Sequence, residues 1–74
     1  MGRLIEEGQL HGEFRGFRDR DTVFQFHGGK TWRQAEYKYH YHYAYMPRAK
    51  VVEEGGRDIL YVEGVDDSVA VRPA

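Results

Sequence analysis

The residues of this chain best suited to chemistry are its histidines. His40 and His42 lie two positions apart, so on a strand both would project from one face and could share a divalent metal. A third ligand could come from His11 or His27. The alternative is that the imidazoles occupy the wetter face of the strand and hydrogen-bond tyrosine hydroxyls. Because no cysteine or carboxylate set accompanies these histidines, we predict no metal site.

The acidic and hydroxyl groups form no catalytic constellation either. The carboxylates come in adjacent pairs, which point to opposite faces of an extended chain; the pairs are Glu6-Glu7, Glu53-Glu54 and Asp66-Asp67. Ser68 is the only serine, and a Ser-His-Asp arrangement would need a histidine from far away in the sequence. The two Gly-Gly pairs lack the following helix that a phosphate-binding loop requires. We therefore predict no catalytic residue, no cofactor and no enzymatic activity.

Composition indicates one small domain over residues 1–74. Hydrophobic residues make up 41% and charged residues 31% of the chain, which is ordinary globular usage, whereas the aromatic content of 15% is high. The absence of cysteine excludes disulfides and cysteine-based zinc sites. Near the N-terminus the longest apolar run is Leu4-Ile5, far shorter than a signal sequence. We expect a cytoplasmic protein without a membrane partner.

Charge is distributed unevenly along the chain, although the net charge is −1. Residues 1–29 carry four basic and five acidic side chains, residues 30–50 carry five and one, and residues 51–74 carry two and six. The middle therefore has a charge of +4 and the C-terminal part −4. Such an asymmetry places opposite charges on two faces of one domain or on complementary faces of two subunits.

Turn residues recur about every ten positions, a spacing typical of all-β domains. Glu7-Gly8 is the first of these turn signals. We predict an all-β fold, either a small SH3-like barrel or a strongly bent antiparallel sheet of five to six strands. The predicted strands are Leu10–Phe17, Thr22–His27, Lys30–Tyr45, Ala49–Glu53, Ile59–Glu63 and Val69–Arg72. The predicted core is Leu10, Phe14, Phe24, Phe26, Trp32, Val51, Ile59, Tyr61, Val69 and Val71. Gly12 and Gly16 suit a bent strand where backbones pass closely.

Two hairpins can be assigned a register. A three-residue loop over residues 27–29 places Phe24 opposite Trp32, an aromatic cross-strand pair. In the second hairpin, a two-residue turn would oppose Glu53 to Asp58, a clash of like charges. We therefore prefer the register that pairs Glu53 with Arg57 and Val51 with Ile59.

The most informative segment alternates tyrosine with polar residues. One parity holds Tyr37, Tyr39, Tyr41, Tyr43 and Tyr45, and the other holds Glu36, Lys38, His40, His42 and Ala44. This period of two predicts a strand. A straight strand over residues 30–45 would span ~53 Å, but a domain of this size is only ~30 Å across. Either the strand bends at a bulge near residues 40–43, or its far end leaves the domain and pairs with another chain. Pro47 ends it and favours an extended Met46.

These segments resemble a known group of proteins. The residues that carry the resemblance are Gly12-x-Phe14-x-Gly16-Phe17, Asp21-Thr22-Val23-Phe24, Gly29-Lys30-x-Trp32-x-Gln34 and the alternating tyrosines that lead to Pro47. The pattern is similar to that of a family of short, uncharacterised bacterial β-proteins, some carried on integron-type mobile gene cassettes, and it covers about residues 12–71. The family has no established activity, so the resemblance implies no catalytic residue.

The alternating segment is the predicted interface or binding surface, formed by Tyr37, Lys38, Tyr39, His40, Tyr41, His42, Tyr43 and Tyr45. Tyrosine is enriched at protein interfaces because it offers a large, stiff, amphipathic surface. We expect a self-associating module that forms a dimer as first choice and a tetramer as second. Binding to an unidentified protein partner is an open alternative. The alternative is single-stranded nucleic acid, with bases stacked on Tyr37, Tyr39 and Tyr41 along the basic residues Arg33, Lys38, Arg48 and Lys50. The net charge makes this alternative less favoured.

Overall fold

Strands account for half of the chain, and the two longest connections between them are residues 15–22 and 35–43. The computed structural model describes residues 2–74, so Met1, the first residue of the predicted domain, lies outside them. These residues form eight strands: β1 (Arg3–Gln9), β2 (Glu13–Phe14), β3 (Val23–Gln25), β4 (Thr31–Gln34), β5 (Ala44–Tyr45), β6 (Arg48–Glu54), β7 (Arg57–Val62) and β8 (Ser68–Pro73). The same residues contain no helix long and apolar enough to cross a membrane.

Six strands form one antiparallel sheet in the order β1-β6-β7-β8-β4-β3, and β2 pairs with β5 separately. The large sheet bends until its two edges meet at an isolated bridge between Leu10 and Phe26. No continuous ladder closes the sheet within residues 2–74. The all-β prediction is therefore confirmed, in its form of a strongly bent antiparallel sheet.

The concave side of the sheet holds an apolar core. Eight of the ten predicted core residues are buried, and the buried apolar set is Leu10, Phe14, Phe17, Phe24, Phe26, Trp32, Ala49, Val51, Leu60, Val62, Val69, Ala70 and Val71. Trp32 lies opposite Phe24 as predicted, and its indole Nε1 donates to Glu6 Oε1 at 2.7 Å. Glu6 thus supplies the polar partner that a buried tryptophan needs.

The second hairpin has a different register from the predicted one. Val51 lies opposite Leu60, and Glu53 lies opposite Asp58 across a two-residue turn. Both turn glycines have positive φ, 61° and 84°, as a type I′ turn requires. The like-charge contact is tolerated because the Gly56 amide donates to Glu53 Oε2 at 2.8 Å. The shift of one residue turns β7 over.

As a consequence, the prediction that Ile59 and Tyr61 of β7 belong to the core is wrong. Leu60 and Val62 are buried, whereas Ile59 and Tyr61 are only half-buried. The Tyr61 hydroxyl donates to Glu54 Oε2 at 2.7 Å. A phenol on the outer face can keep its hydroxyl hydrated, which the apolar interior does not allow.

The N-terminal part also differs from prediction. Residues 3–9 form β1, which pairs with β6, so Glu7-Gly8 lies within a strand and is not a turn. The predicted strand Leu10–Phe17 is interrupted at Gly12, whose φ is 76°, and only Glu13 and Phe14 remain as β2. β1 forms because β6 offers a long edge on which weakly apolar residues can pair.

Candidate functional site

The alternating tyrosine segment is not one strand. β4 ends at Gln34, β5 begins at Ala44, and between them His40 forms an isolated bridge with Phe17. The predicted strand Lys30–Tyr45 is therefore wrong, and so are both alternatives for fitting it into the domain. No bulged strand runs through residues 40–43, and the far end stays in the domain, where Tyr45 pairs with Glu13. The principal-axis extents of the chain are 29, 26 and 23 Å, which confirms that no straight strand of that length fits. We call residues 35–45 the tyrosine segment.

The alternation nevertheless persists as alternating exposure. The five tyrosines are 51–78% exposed, while the intervening residues are half-buried. We call the exposed side chains the tyrosine face: Tyr37, Tyr39, Tyr41, Tyr43 and Tyr45. Lys38, His40 and His42 belong to the predicted binding surface but lie on the opposite, inner side of the segment, so the structure does not bring them onto the tyrosine face.

A buried glutamine fixes the start of the tyrosine segment. Gln34 is 0% exposed, and its side-chain amide donates to the carbonyls of Glu36 and Lys38, both at 2.9 Å. Its Oε1 accepts from the Arg18 amide at 3.1 Å. The amide group of one side chain therefore replaces the ladder hydrogen bonds that a continuing strand would have made, and the chain turns away from the sheet.

Close backbone approach fixes the middle of the segment. His40 and Phe17 exchange two backbone hydrogen bonds of 2.9 Å. Gly16 has a φ of 92°, and a Cβ at this position would lie 2.0 Å from the His40 carbonyl oxygen. The predicted close passage of backbones is therefore confirmed at Gly16 but is wrong at Gly12, where an added Cβ would meet nothing within 4 Å.

An ion pair ties the inner side of the segment to the loop before β8. Lys38 Nζ donates to Asp67 Oδ1 at 3.1 Å and to the Ser68 carbonyl. Two hydrogen bonds lower the pKa of Asp67 below its ordinary value: the one from the Ser68 amide has the larger effect, and the one from Lys38 the smaller. Since both charged groups keep some contact with solvent, with 30% and 41% of their side chains exposed, the pair positions the segment more than it stabilises the fold.

A sharp bend closes the far end of the tyrosine segment. Tyr45 pairs with Glu13, and the Met46 amide donates to the Gly12 carbonyl at 2.8 Å. Met46 has a φ of 48°, so the predicted extended conformation before Pro47 is wrong. Its carbonyl accepts from Gln9 Nε2 at 2.8 Å. These tertiary hydrogen bonds outweigh the local preference of a residue that precedes proline.

Two arginines join the tyrosine face in a shallow cleft of about 370 Å³, which is lined by Arg15, Arg18, Tyr39, Tyr41 and Tyr43. Arg15 Nη2 donates to Glu13 Oε1 at 2.8 Å, and the Tyr43 hydroxyl donates to Glu13 Oε2 at 3.3 Å. These two contacts lower the pKa of Glu13. The negative charge of Glu13 in turn raises the pKa of Tyr43.

The basic residues predicted to accompany the tyrosines lie elsewhere. Lys38 is held by Asp67 on the inner side, and Arg33 lies opposite Arg72 on the sheet. Arg48 and Lys50 line a separate cleft beside β7, with Lys50 Nζ 5.9 Å from the Tyr61 ring centroid. The cationic side chains that line the cleft beside the tyrosine face are Arg15 and Arg18, which the sequence pattern did not indicate.

The residues that position the tyrosine face gave only weak sequence signals. Gln34 shares the parity of Trp32 on β4, and that spacing marks it as an inward-facing position. Arg15 and Arg18 follow a strand separated by more than twenty residues from the tyrosines, so only the tertiary structure could place them in the cleft. Among residues 2–74, no group of three or more histidine, cysteine or acidic side chains could hold a metal ion.

Comparison of the chain with protein-family models, with curated proteins and with solved structures gives no match. The resemblance of the tyrosine pattern to a bacterial β-protein family stays a prediction.

Proposed function

We propose that this chain is a non-enzymatic module that associates with a second copy of itself through the tyrosine face. The observation that carries the proposal is the exposure of the five tyrosines of this face. Their exposed fractions together equal about three whole tyrosine side chains, which at ~150–250 Å² each amounts to roughly 500–800 Å². Monomeric proteins seldom expose contiguous apolar patches of this size, whereas a standard interface buries about 800 Å² on each partner.

The contact is expected to be face to face. His40 already uses its backbone groups to pair with Phe17, so at this position the segment does not offer that edge for strand addition. Side-chain packing leaves this pairing intact. Rings of one copy can interdigitate with those of the other, while each hydroxyl at the rim keeps contact with water.

A two-fold contact also suits the charges beside the tyrosine face. Glu13 and Arg15 lie next to each other and pair within one chain at 2.8 Å. An isologous interface presents the same patch from both copies, so Arg15 of one copy can face Glu13 of the other. Exposed charge pairs of this kind contribute little affinity, but they select the orientation of docking.

The mass of the protein in solution tests this proposal. At about 100 µM, a concentration at which a micromolar dimer is populated, we expect twice the monomer mass by sedimentation equilibrium. The double variant Tyr39→Lys/Tyr41→Lys should be monomeric because four like charges would meet in the interface. Leu4→Lys/Val23→Lys is the matched control, since these apolar residues are comparably exposed, at 54% and 50%, outside the tyrosine face. A monomeric wild type, or an unchanged mass in a folded tyrosine variant, would overturn the proposal.

The second candidate function is binding of single-stranded nucleic acid. The observation in its favour is that Arg15 and Arg18 share one cleft with Tyr39, Tyr41 and Tyr43. Stacking of a base on an aromatic ring contributes about 1–3 kcal/mol, and the two guanidinium groups could contact phosphates. Against this candidate, Glu13 already neutralises Arg15, and the net charge of the chain is −1.

Titration with fluorescent single-stranded RNA and DNA separates the two functions. Micromolar binding that weakens steeply with salt, and that is lost in both Tyr41→Ala and Arg18→Ala, would favour nucleic acid over self-association. Arg20→Ala is a matched control for charge, because Arg20 lies outside the cleft. No binding at low salt would remove this candidate.

A further inference from the structure

Two histidines outside the tyrosine face contact each other where the edges of the bent sheet meet. His11 Nδ1 and His27 Nδ1 are 3.4 Å apart. The ring centroids are 5.6 Å apart and the ring planes differ by 14°. This centroid separation nearly equals the nitrogen–nitrogen distance plus the radii of the two rings. The imidazoles therefore lie edge to edge, with the Nδ1 atoms directed at each other.

The backbone holds both histidines in place. The His11 amide donates to the Gln25 carbonyl, and the His27 amide donates to the Gln9 carbonyl, each at 2.7 Å. These bonds flank the bridge between Leu10 and Phe26, whose side chains are buried in the core. The two imidazoles consequently project from a rigid part of the fold, although both side chains are exposed.

The distance between the two Nδ1 atoms matches the distance between two imidazole nitrogens that bind one metal ion. A divalent zinc ion binds imidazole nitrogen at about 2.0–2.1 Å in tetrahedral geometry, which places two such nitrogens roughly 3.3–3.4 Å apart. The observed 3.4 Å is in that range, and it is long for an N–H···N hydrogen bond. Because the two lone pairs point along the line between the nitrogens, each exposed ring must turn by about 35° to direct its lone pair at one tetrahedral ion.

We propose that His11 and His27 form a two-histidine chelate for a divalent transition metal, with water completing the coordination. Both rings then carry their proton on Nε2, which leaves both Nδ1 lone pairs to bind the ion. Imidazole suits Cu²⁺, Ni²⁺ and Zn²⁺, of which Cu²⁺ binds most tightly, whereas Mg²⁺ prefers oxygen. The ion would link the two edges of the sheet and stabilise the folded state. This site is independent of the self-association proposed above.

Calorimetric titration of the chain, prepared without a histidine tag, tests the chelate. We expect one Cu²⁺ or Ni²⁺ per chain, a higher melting temperature with the ion than without it, and no binding of Mg²⁺. His11→Ala and His27→Ala should each weaken binding at least ten-fold, because either change removes one of two ligands. His42→Gln is the matched control and should bind as the wild type does.

Several results would contradict the chelate. Absence of binding at millimolar Ni²⁺, or equal affinity in His11→Ala and wild type, would overturn it. A ratio of one ion to two chains would also overturn it, because the ion would then bridge copies of the protein.

Discussion

β4 and the tyrosine segment follow each other directly in the chain, and both alternate between two faces, yet they bury opposite kinds of residue. In β4 the aromatic ring of Trp32 points inward and is 2% exposed. In the tyrosine segment the aromatic rings point outward, and Lys38 and His40 occupy the inner side. The same period of two thus has two opposite outcomes within fifteen residues.

The partners on the inner side explain the difference. Trp32 faces an apolar core, and its single polar atom is satisfied by Glu6. The inner side of the tyrosine segment instead faces Asp67, the Ser68 carbonyl and the backbone of Phe17. Buried polar groups must be hydrogen-bonded, and an ammonium group satisfies these acceptors better than several phenols would. Periodicity therefore defines two faces, and the acceptors of the neighbouring elements decide which face is buried.

The largest expected effect is the difference in stability between removing the inward-facing ring of Trp32 and removing the outward-facing ring of Tyr41. Trp32→Ala should lower the free energy of unfolding by about 3–5 kcal/mol, because it leaves a cavity in the core. Tyr41→Ala, the matched control, should change it by less than about 0.5 kcal/mol under dilute conditions in which the chain is monomeric. Urea denaturation followed by far-UV circular dichroism measures both. Equal losses would mean that the tyrosine face is buried within the monomer.

A smaller effect is expected at the point where the two regions join. Gln34→Leu should lower the free energy of unfolding by about 2–3 kcal/mol, because it leaves the part-buried Glu36 and Lys38 carbonyls without their donor. It should also make the tyrosine segment more sensitive to proteolysis than β4. Gln25→Leu on β3, where the side chain is exposed, is the control. If Gln34→Leu were as stable as the control, the segment would have to be positioned by its other contacts.

The smallest expected effect concerns Asp67, which accepts a hydrogen bond from Lys38 on the inner side of the tyrosine segment. The pKa of Asp67 is lowered in the folded chain, so its carboxylate contributes stability above the unfolded pKa of about 3.9, and this contribution is lost as the pH falls through the folded value. Asp67→Asn should therefore be less stable than the wild type near neutral pH, and the difference should vanish in acid. Asp66→Asn, at an exposed neighbouring position, is the control. A difference that persists at about pH 2 would contradict the role of the charge.

The sequence was a good guide where one hairpin is self-contained. The Phe24–Trp32 pair depends on a three-residue loop and on two aromatic residues close in sequence, and it is confirmed. The second hairpin was not predicted correctly, because the hydrogen bond from Gly56 to Glu53 and the apolar pair Leu60 and Val62 decide its register together. The repulsion between Glu53 and Asp58, taken alone, therefore favoured the wrong register.

The sequence by itself determined that the chain is all-β, that five of its six tyrosines share one face, and that no straight strand could contain residues 30–45. These properties follow from periodicity, turn residues and length, which are local. Only the tertiary structure decided that the tyrosine face points outward, that Arg15 and Arg18 flank it, and that His11 meets His27. Each of these depends on contacts between residues distant in sequence, where the acceptors and the space available on one element select the orientation of another.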